Sequence, residues 1–466
     1  MTLLTRHCRR LILAAGVTVA ASPLFAESQY GCTGLEAHET VPSIEGKDGV
    51  FFRLNLDIRM HHPFSDETVT FLSDLSEALA ESGTTLIFVP VPSKSVTMPD
   101  YLPPEATLYG FDLDVATAAQ DDILDRLEAA GVVTVDARTA MQQAPEGELP
   151  FFKADFHWTA VGARETARAL AERIRTLPVY DDLPKTNFET TEGDVEVAFS
   201  GMRRELQELC LHALPEAESM TYHTQAVQEV GGVVDLGLGS SDGTPGVDLG
   251  LGDGDVDPFG DTEESTVPIA LLGTSFSATD INNFPGFIAE HAGVEVFNYA
   301  LTGGNQFGAM ISYLTSTEFR ETRPQILVWE NPIYTNLAQF GDQPTRELVA
   351  AAGQTCTVPL EPVLNEDNTM MSVDLAGYDL GPEDTLFVDI NQSAGSRAVF
   401  AFQSEDGRER VKVIERGERL KRTGRFYMPL SGLWDDGAVA VNITSSLPFT
   451  NQSSVYACTT QPTEKT

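Results

Sequence analysis

Residues 267–277 read VPIALLGTSFS, and this stretch decides how the chain is expected to fold. A continuous apolar run that ends in Gly273 is typical of a strand buried on both faces of a parallel sheet. In such sheets ligands bind at the carboxyl ends of the strands. The stretch therefore predicts a buried strand, with Ser275 at the start of the following helix, where free backbone N–H groups point outward.

Helices and strands alternate on both sides of this stretch, from about residue 50 to about residue 345. Three segments carry apolar residues at helical spacing, and continuous apolar runs lie between them. This alternation predicts an α/β fold with a parallel sheet flanked by helices. The predicted helices cover 65–82, 115–130 and 159–177, and the predicted strands cover 84–91, 132–137, 294–300 and 325–330.

The alternation of helices and strands stops after about residue 350. Six short β-rich runs, separated by turn residues, follow one another between residues 385 and 460. Several strands at this spacing, with no convincing helix between them, predict a β-sandwich. The chain has 466 residues, which is more than one core usually supports. We therefore expect two domains, at 27–348 and 349–466, with the boundary between residues 345 and 355.

The first 26 residues have the pattern of a secretory signal peptide. Three arginines, Arg6, Arg9 and Arg10, precede a short apolar run, and cleavage is expected after Ala26. No other apolar run approaches the 18 residues that a membrane-spanning helix needs. The sequence therefore predicts an exported protein of the periplasm.

The cysteines agree with export. Cys8 lies in the signal peptide, and the four that remain can form two disulfides in an oxidising compartment. Three pairings are possible; we favour Cys32–Cys210 and Cys356–Cys458, because the second pair brackets the β-rich segment. A metal site is the alternative, but it is disfavoured because the chain has no Cys-x-x-Cys pair.

The charge balance excludes one large class of function. Asp and Glu number 69 against 30 Lys and Arg, which gives a net charge of −39. Proteins bind nucleic-acid backbones through Lys and Arg, so no nucleic-acid partner is expected. A polyanionic substrate would have to meet a local basic patch that overcomes the overall field.

Residues 231–266 form an insertion rich in Gly and Asp, which belongs to neither domain pattern. Four acidic residues in it match positions of a calcium-binding loop, but Pro258 stands where that loop needs glycine. A solvated acidic loop is the alternative interpretation, and no other metal site is expected. The candidate calcium ligands are Asp253, Asp255, Asp257 and Glu264.

A second short motif supplies what Ser275 lacks. A serine hydroxyl is a weak nucleophile and needs an adjacent base. Residues 155–158 read DFHW just before a predicted helix, so Asp155 and His157 are expected in the loop that enters it. There the carboxylate can orient the imidazole. Taken alone, His157 could be a packing residue and Ser275 could be a helix N-cap; together the motifs predict a Ser-His-Asp triad.

These two motifs, and their order, resemble the AlgX/AlgJ group of alginate O-acetyltransferases, which are exported and SGNH-hydrolase-like. Further matching pieces are 91–94 (VPSK), 298–300 (NYA), 303–306 (GGNQ) and 328–332 (VWENP). The resemblance covers most of residues 35–345. The β-rich segment resembles the carbohydrate-binding module that AlgX carries and AlgJ lacks, so the AlgX branch fits better. Paired disulfides are also a feature of that branch.

The resemblance implies a circularly permuted SGNH-like sheet and a role for each residue of the triad. Ser275 would be the acyl nucleophile, His157 the general base and acid, and Asp155 the orienting carboxylate. The oxyanion hole would use the backbone N–H of Ser275, with further donors from Gly304 and Asn305. Tyr334 is a further candidate for substrate binding, and Asn331 is another residue expected near the site.

The β-rich segment contains a basic anomaly. Between residues 408 and 425 lie eight Lys or Arg and three Glu, a net charge of +5. Uronic-acid polymers could bind there, because guanidinium groups pair with carboxylates and aromatic rings can stack on sugars. The alternative is a solvated face that neutralises the acidic first domain. The candidate binding residues are Arg410, Lys412, Arg422, Arg425, Tyr427 and Trp434.

The predicted reaction is transfer of an acetyl group, through an acyl-enzyme on the serine, to hydroxyls of alginate or an alginate-like polymer. No cofactor is expected, and no nucleotide motif is visible, so we expect a membrane-associated partner to deliver the donor and export-complex proteins to assist. Two alternatives stay open at this point. One is a carbohydrate acetylesterase of the same fold, and the other is a non-catalytic, polysaccharide-binding scaffold of an export complex.

Overall fold

The computed structural model describes residues 28–227 and 267–459. The predicted signal peptide at 1–26 and the acidic insertion at 231–266 lie outside the described residues. The same holds for the candidate calcium ligands Asp253, Asp255, Asp257 and Glu264.

The described residues contain the predicted helices and strands, together with elements that were not predicted, such as the antiparallel strands at 188–197 and 218–226. The helices are α1 Asp66–Ala80, α2 Lys94–Thr97, α3 Leu113–Ala129, α4 Ala137–Met141, α5 Ala160–Arg175, α6 Gly201–Gln207, α7 Ser275–Ala278, α8 Phe284–Ala292, α9 Gly308–Leu314, α10 Thr317–Glu321 and α11 Gln343–Ala352. The strands are β1 Ser43–Glu45, β2 Phe51–Arg53, β3 Thr85–Val91, β4 Val133–Thr134, β5 Phe188–Val197, β6 Glu218–Ala226, β7 Val267–Leu272, β8 Val296–Asn298, β9 Pro324–Pro332, β10 Val358–Leu360, β11 Pro362–Leu364, β12 Met370–Asp374, β13 Thr385–Asp389, β14 Arg397–Gln403, β15 Glu409–Glu415, β16 Arg425–Pro429, β17 Ala440–Ser445 and β18 Ser454–Cys458.

A five-stranded parallel sheet organises the first part of the molecule. Its strands lie in the order β4-β3-β9-β7-β8, so the stretch that begins at Val267 is an inner strand. Two strands are much shorter than predicted: β4 has two residues instead of the six at 132–137, and β8 has three instead of the seven at 294–300. Asp136 follows β4, and its carboxylate accepts a hydrogen bond from the backbone N–H of Thr139 and caps α4.

Apolar side chains of the sheet pack against helices on both faces. On one face, residues such as Ile87, Leu271 and Val328 contact α5 and α8. On the other face, residues such as Leu272 and Trp329 contact α1, α9 and α11. Because both faces are covered, the strands are apolar throughout, and the polar residues concentrate at the carboxyl ends of the strands.

The C-terminal strands form two antiparallel sheets that face each other. One has the order β10-β18-β13-β16 and the other the order β11-β12-β17-β14-β15. Alternate residues of the strands, including Phe400, Phe402 and Phe426, fill the space between the sheets. Helix α11 ends at Ala352, and the first strand of these sheets begins at Val358.

A buried ion pair joins the β-sandwich to the first domain. Both guanidinium nitrogens of Arg416 contact the carboxylate of Glu347 on α11, and the side chains are 4% and 0% exposed. The same carboxylate also accepts the backbone N–H of Tyr427. These bonds satisfy a charge pair that would otherwise be costly to bury.

The two disulfides follow the favoured pairing. Cys32 pairs with Cys210 and ties the N-terminal segment to the chain after α6. Cys356 pairs with Cys458 and ties the connection after α11 to the last strand of the β-sandwich. Among the described residues, no helix is both long enough and apolar enough to cross a membrane.

The junction yields a test of stability. Glu347→Gln removes the charge that balances Arg416 and leaves a buried guanidinium unpaired, which typically costs roughly 3–5 kcal/mol. We expect the free energy of unfolding, measured in denaturant, to fall by about that amount. The matched control is Lys421→Met, which breaks the half-exposed ion pair with Glu318 across the same junction and should cost less than about 1 kcal/mol. Equal losses for the two variants would contradict the importance of the buried pair.

Candidate active site

The nucleophile candidate lies in a tight turn at the end of β7. Gly273 follows the strand, and a side chain at this position would collide with the carboxylate of Glu330. Thr274 is the N-cap of α7 and accepts a hydrogen bond from the backbone N–H of Phe276. Ser275 is therefore the first residue of α7, and its backbone N–H is one of the N–H groups at the start of a helix that have no acceptor within the helix.

The second motif lies directly beside this turn. The Nε2 atom of His157 is 2.8 Å from the Oγ atom of Ser275. On the far side of the ring, Nδ1 is 2.6 Å from Oδ1 of Asp155, which also accepts the backbone N–H of His157 at 2.8 Å. The structure thus brings together all three residues predicted to form the triad, across 118 positions of sequence between the histidine and the serine.

Aromatic residues of the two motifs hold the motifs together. The indole Nε1 of Trp158 donates a hydrogen bond to the backbone oxygen of Phe276 at 2.8 Å. The rings of Trp158 and Phe276 meet edge to face, with centroids 5.3 Å apart. The imidazole of His157 lies between the rings of Phe156 and Phe276, at 4.2 and 4.9 Å. Each residue of DFHW therefore has a contact that fixes the position of the histidine.

Ser200 is a residue that the sequence analysis missed. Its hydroxyl donates to Oδ2 of Asp155 at 2.5 Å, and its oxygen accepts the backbone N–H of Arg203 as the N-cap of α6. Burial alone would raise the pKa of Asp155, but the hydrogen bonds from His157 and Ser200 outweigh burial and keep that pKa below its usual value. The carboxylate therefore remains charged next to the imidazole.

Glu330, at the end of β9, is a second missed residue of the site. Its side chain is fully buried, and it accepts hydrogen bonds from the backbone N–H of Thr274 at 2.8 Å and from the hydroxyls of Thr274 and Ser277. Burial raises its pKa to about 7, although these hydrogen bonds oppose the rise. The carboxyl group fixes the turn on both sides of Ser275.

Tyr334 lies next to a buried ion pair near the motif of His157. The guanidinium of Arg53 stacks between the rings of Phe156 and Tyr334, at 4.4 and 4.7 Å from the centroids. Asp57 holds this guanidinium with two hydrogen bonds of 2.9 Å. Burial raises the pKa of the Tyr334 hydroxyl, although the charge of Arg53 opposes it. A role of Tyr334 in substrate binding stays a prediction.

The predicted oxyanion donors lie in a turn close to the nucleophile. The backbone N–H of Leu301 donates to the oxygen of Gly273 at 3.0 Å, which brings residues 301–305 to the end of β7. The N–H of Gly304 already donates to the oxygen of Leu301, so the structure does not offer Gly304 as a free donor. Asn305 is exposed in this turn, with a φ of 58°.

The basic run does not form one continuous surface, which corrects two of its predicted binding residues. Arg425 bonds to Asp389 and to the backbone oxygen of Thr315, so it holds the two domains together. Tyr427 is 4% exposed and stacks on Phe387, so it offers no free face to a sugar. Three further basic residues of the run, Arg416, Arg419 and Lys421, also contact the first domain.

The other candidates lie away from this junction or remain exposed at its edge. The guanidiniums of Arg410 and Arg408 each lie 5.4 Å from the ring centroid of Trp434. The ammonium of Lys412 donates to the backbone oxygens of Pro429 and Ser431, and Arg422 is exposed. Within the described ranges, no cluster of His, Cys, Asp and Glu could hold a metal ion.

Comparison with known proteins identifies relatives over most of the first domain. The family model "SGNH hydrolase-like domain, acetyltransferase AlgX" matches residues 44–240 and 253–333. The alginate biosynthesis protein AlgX of Azotobacter vinelandii is 30% identical over 306 residues, 66% of this chain and 57% of that protein. The probable alginate O-acetylase AlgJ of Pseudomonas aeruginosa is 28% identical over 284 residues, 59% of this chain and 66% of that protein. The match thus spans little more than half the length of the AlgX relative.

The solved structure of Pseudomonas aeruginosa AlgX has the same fold. It matches with a TM-score of 0.70 at 22% sequence identity, and the match covers 92% of this chain and 96% of that chain. The predicted fold, an SGNH-hydrolase-like parallel sheet followed by a β-sandwich, is therefore confirmed.

The buried carboxyl of Glu330 generates a pH prediction. Its pKa is about 7 in the folded protein and near 4.5 when it is exposed, so its favourable contribution is complete below pH 4.5 and is lost as the pH rises through 7. Glu330→Gln cannot ionise. The free energy of unfolding of the parent should therefore fall relative to that of the variant, by roughly 3 kcal/mol between pH 4.5 and 8. Denaturant unfolding at both pH values tests this, and a pH-independent difference would contradict it.

Proposed function

Because the chain belongs to the family of SGNH-hydrolase-like AlgX acetyltransferase domains, we propose that it is a polysaccharide O-acetyltransferase with a serine acyl-enzyme. The contact of 2.8 Å between Ser275 Oγ and His157 Nε2, with Asp155 behind the imidazole, carries the proposal. That contact supplies the nucleophile and the base that acyl transfer needs. Relatives named for alginate biosynthesis and alginate O-acetylation indicate the kind of acceptor.

The reaction proceeds in two displacements. In the first, the hydroxyl of Ser275 attacks the acetyl carbonyl of the donor while His157 takes its proton; the bond to the leaving group then breaks, and His157 returns the proton to that group. In the second, His157 takes the proton of a sugar hydroxyl, whose oxygen attacks the acetyl carbon. The bond between the acetyl carbon and the Ser275 oxygen then breaks, and His157 gives the proton to that oxygen.

Two features assist these steps. Asp155 keeps its charge and stabilises the imidazolium that forms in each displacement. We assign the backbone N–H of Ser275, at the first position of α7, as one donor to the negative charge that develops on the carbonyl oxygen, and Asn305 as the second donor. Gly304 is left out of this assignment because its N–H is already bonded within the turn.

The acceptor is a uronic-acid polymer, alginate or an alginate-like chain. A polyanion needs cations on a protein of net charge −39, and the β-sandwich offers Arg410 beside the ring of Trp434, with Arg422 exposed elsewhere on it. Guanidinium groups can pair with uronate carboxylates, and an indole can stack on a sugar ring. We therefore assign the β-sandwich, from about residue 353 onward, as a carbohydrate-binding module.

We propose that the protein acts in the periplasm. The pattern of residues 1–26 and the two disulfides support export. A membrane-associated partner would then deliver the acetyl donor, and proteins of the export complex would bring the polymer.

The central test removes the nucleophile. Ser275→Ala deletes the only atom that can form the acyl-enzyme of this proposal, so transfer of acetyl from 4-nitrophenyl acetate to defined oligouronates should fall by at least ~10³-fold. Mass spectrometry of the oligouronates measures the product. Circular dichroism and oligouronate binding should match the parent. Full transfer by the variant contradicts the proposal, whereas free acetate as the parent's sole product would indicate an esterase.

The acceptor assignment has its own test. Arg410→Ala and Trp434→Ala each remove one contact with the polymer, so we expect KM for oligouronates to rise about 3- to 10-fold while kcat stays near that of the parent. Arg204→Ala is the matched control, because Arg204 is also exposed and lies 5.4 Å from an aromatic ring, that of Phe199, but in the first domain. Equal KM values for the parent and the three variants would contradict the assignment of Arg410 and Trp434 to polymer binding.

A further inference from the structure

The buried lysine at position 94 contacts the loop that carries Asp155 and His157. Lys94 begins α2, just after the carboxyl end of β3, and its side chain is 1% exposed. It makes no ion pair with any carboxylate in the described part of the chain. Its partners are instead four backbone oxygens from two segments, at Phe51, Phe152, Lys153 and Asp155.

Three of these four oxygens belong to one short loop. The loop closes on itself, because the N–H of Phe152 donates to the oxygen of His157 and residues 151 and 158 form a β-bridge. The N–H of Phe51 in β2 also donates to the oxygen of Lys153. The carbonyls at 152, 153 and 155 therefore turn inward to one ammonium group, while the side chains of Asp155 and His157 contact Ser200 and Ser275.

Carbonyl oxygens that converge on one point repel each other unless a donor lies between them. An ammonium group provides three N–H donors together with a positive charge, and both are attracted to carbonyl oxygens. Lys94 thus fixes the backbone of the loop at Asp155, the residue that orients the imidazole. The distance from Lys94 Nζ to the oxygen of Asp155 is 3.0 Å.

We infer that Lys94 is a positioning residue for the proposed reaction, which fixes the backbone at Asp155 and thereby aims its carboxylate at His157. The inference rests on the proposed function for its effect on rate, but not for its effect on the geometry of the Asp155–His157 hydrogen bond. Lys94 itself does not touch the reacting atoms.

The buried position of Lys94 also decides the pH range in which its side chain is an ammonium. Burial lowers the pKa of Lys94 from 10.5 to about 7, although the carboxylates of Asp57 and Asp155 oppose the change and Arg53 adds to it. The side chain is therefore mostly an ammonium below about pH 7, and the four backbone oxygens are its hydrogen-bond acceptors.

The experiment compares the same substitution at two lysines of this region. Lys94→Met removes the shared donor. Lys153→Met removes an ammonium that, among the described residues, donates to the backbone oxygen of Asp48 at the surface, and it leaves the backbone oxygen of residue 153 in place. With 4-nitrophenyl acetate as the probe, we expect Lys94→Met to lower kcat about 10- to 100-fold with KM within about twofold of the parent, and Lys153→Met to change neither.

A second readout does not depend on activity. The proton between Nδ1 of His157 and Asp155 should give a downfield proton resonance, which is identified by its loss in His157→Gln. We expect Lys94→Met to lose or shift this resonance, and Lys153→Met and Ser275→Ala to keep it. If Lys94→Met fails to fold, Lys94→Gln, which keeps two N–H donors without the charge, takes its place and should shift the resonance.

The outcomes separate the two proposals. If the lysine variant keeps both the resonance and kcat while its thermal stability falls, Lys94 is structural and the inference is wrong. If Ser275→Ala keeps full transfer activity, the proposed function fails, and the resonance still decides whether Lys94 positions Asp155.

Discussion

The contact between residues 155–158 and residues 273–277 is the constraint on which the rest of the site depends. The two segments meet through one hydrogen bond between side chains, Ser275 to His157, and one from the indole of Trp158 to the backbone of Phe276. Such a contact survives only if each segment holds its shape independently. The carboxylate of Asp155, which accepts a hydrogen bond from Ser200, fixes residues 155–158. The carboxyl group of Glu330, which accepts the backbone N–H of Thr274, fixes residues 273–277. The site therefore consists of two rigid loops joined at one edge of a sheet.

The fold and the proposed triad could be predicted from the sequence because both have strong local signals. Buried parallel strands are continuous apolar runs, and a serine directly after such a run lies at the edge where ligands bind. The supporting residues gave no such signal. Glu330 and Ser200 are an acid and a hydroxyl of common types, and only the fold shows that their polar atoms face Thr274 and Asp155. The interpretation of Lys94 needs the same information, since its partners are backbone oxygens.

The basic run shows a different limit of sequence analysis. A net charge of +5 in 18 residues indicates an anionic partner, but it does not tell whether that partner is a ligand or another part of the same chain. In the structure, several basic residues of the run contact other residues of the same chain. Arg416 meets Glu347, Lys421 meets Glu318, and Arg425 meets Asp389 and the first domain's backbone. The alternative of a basic face that neutralises the acidic first domain thus accounts for this part of the run.

The same junction bears on the choice between transfer and hydrolysis. A Ser-His-Asp centre alone does not discriminate between a sugar hydroxyl and water as the group that attacks the acyl-enzyme. Discrimination requires the acceptor to be held close, at a high effective concentration. A module on a flexible linker would supply little of this. Here Arg416 and Glu347 form a buried pair, and a disulfide ties Cys458 to the connection between the domains. A polymer on the β-sandwich would therefore keep a fixed distance from Ser275, and that distance sets the effective concentration of the acceptor hydroxyl at the acyl-enzyme.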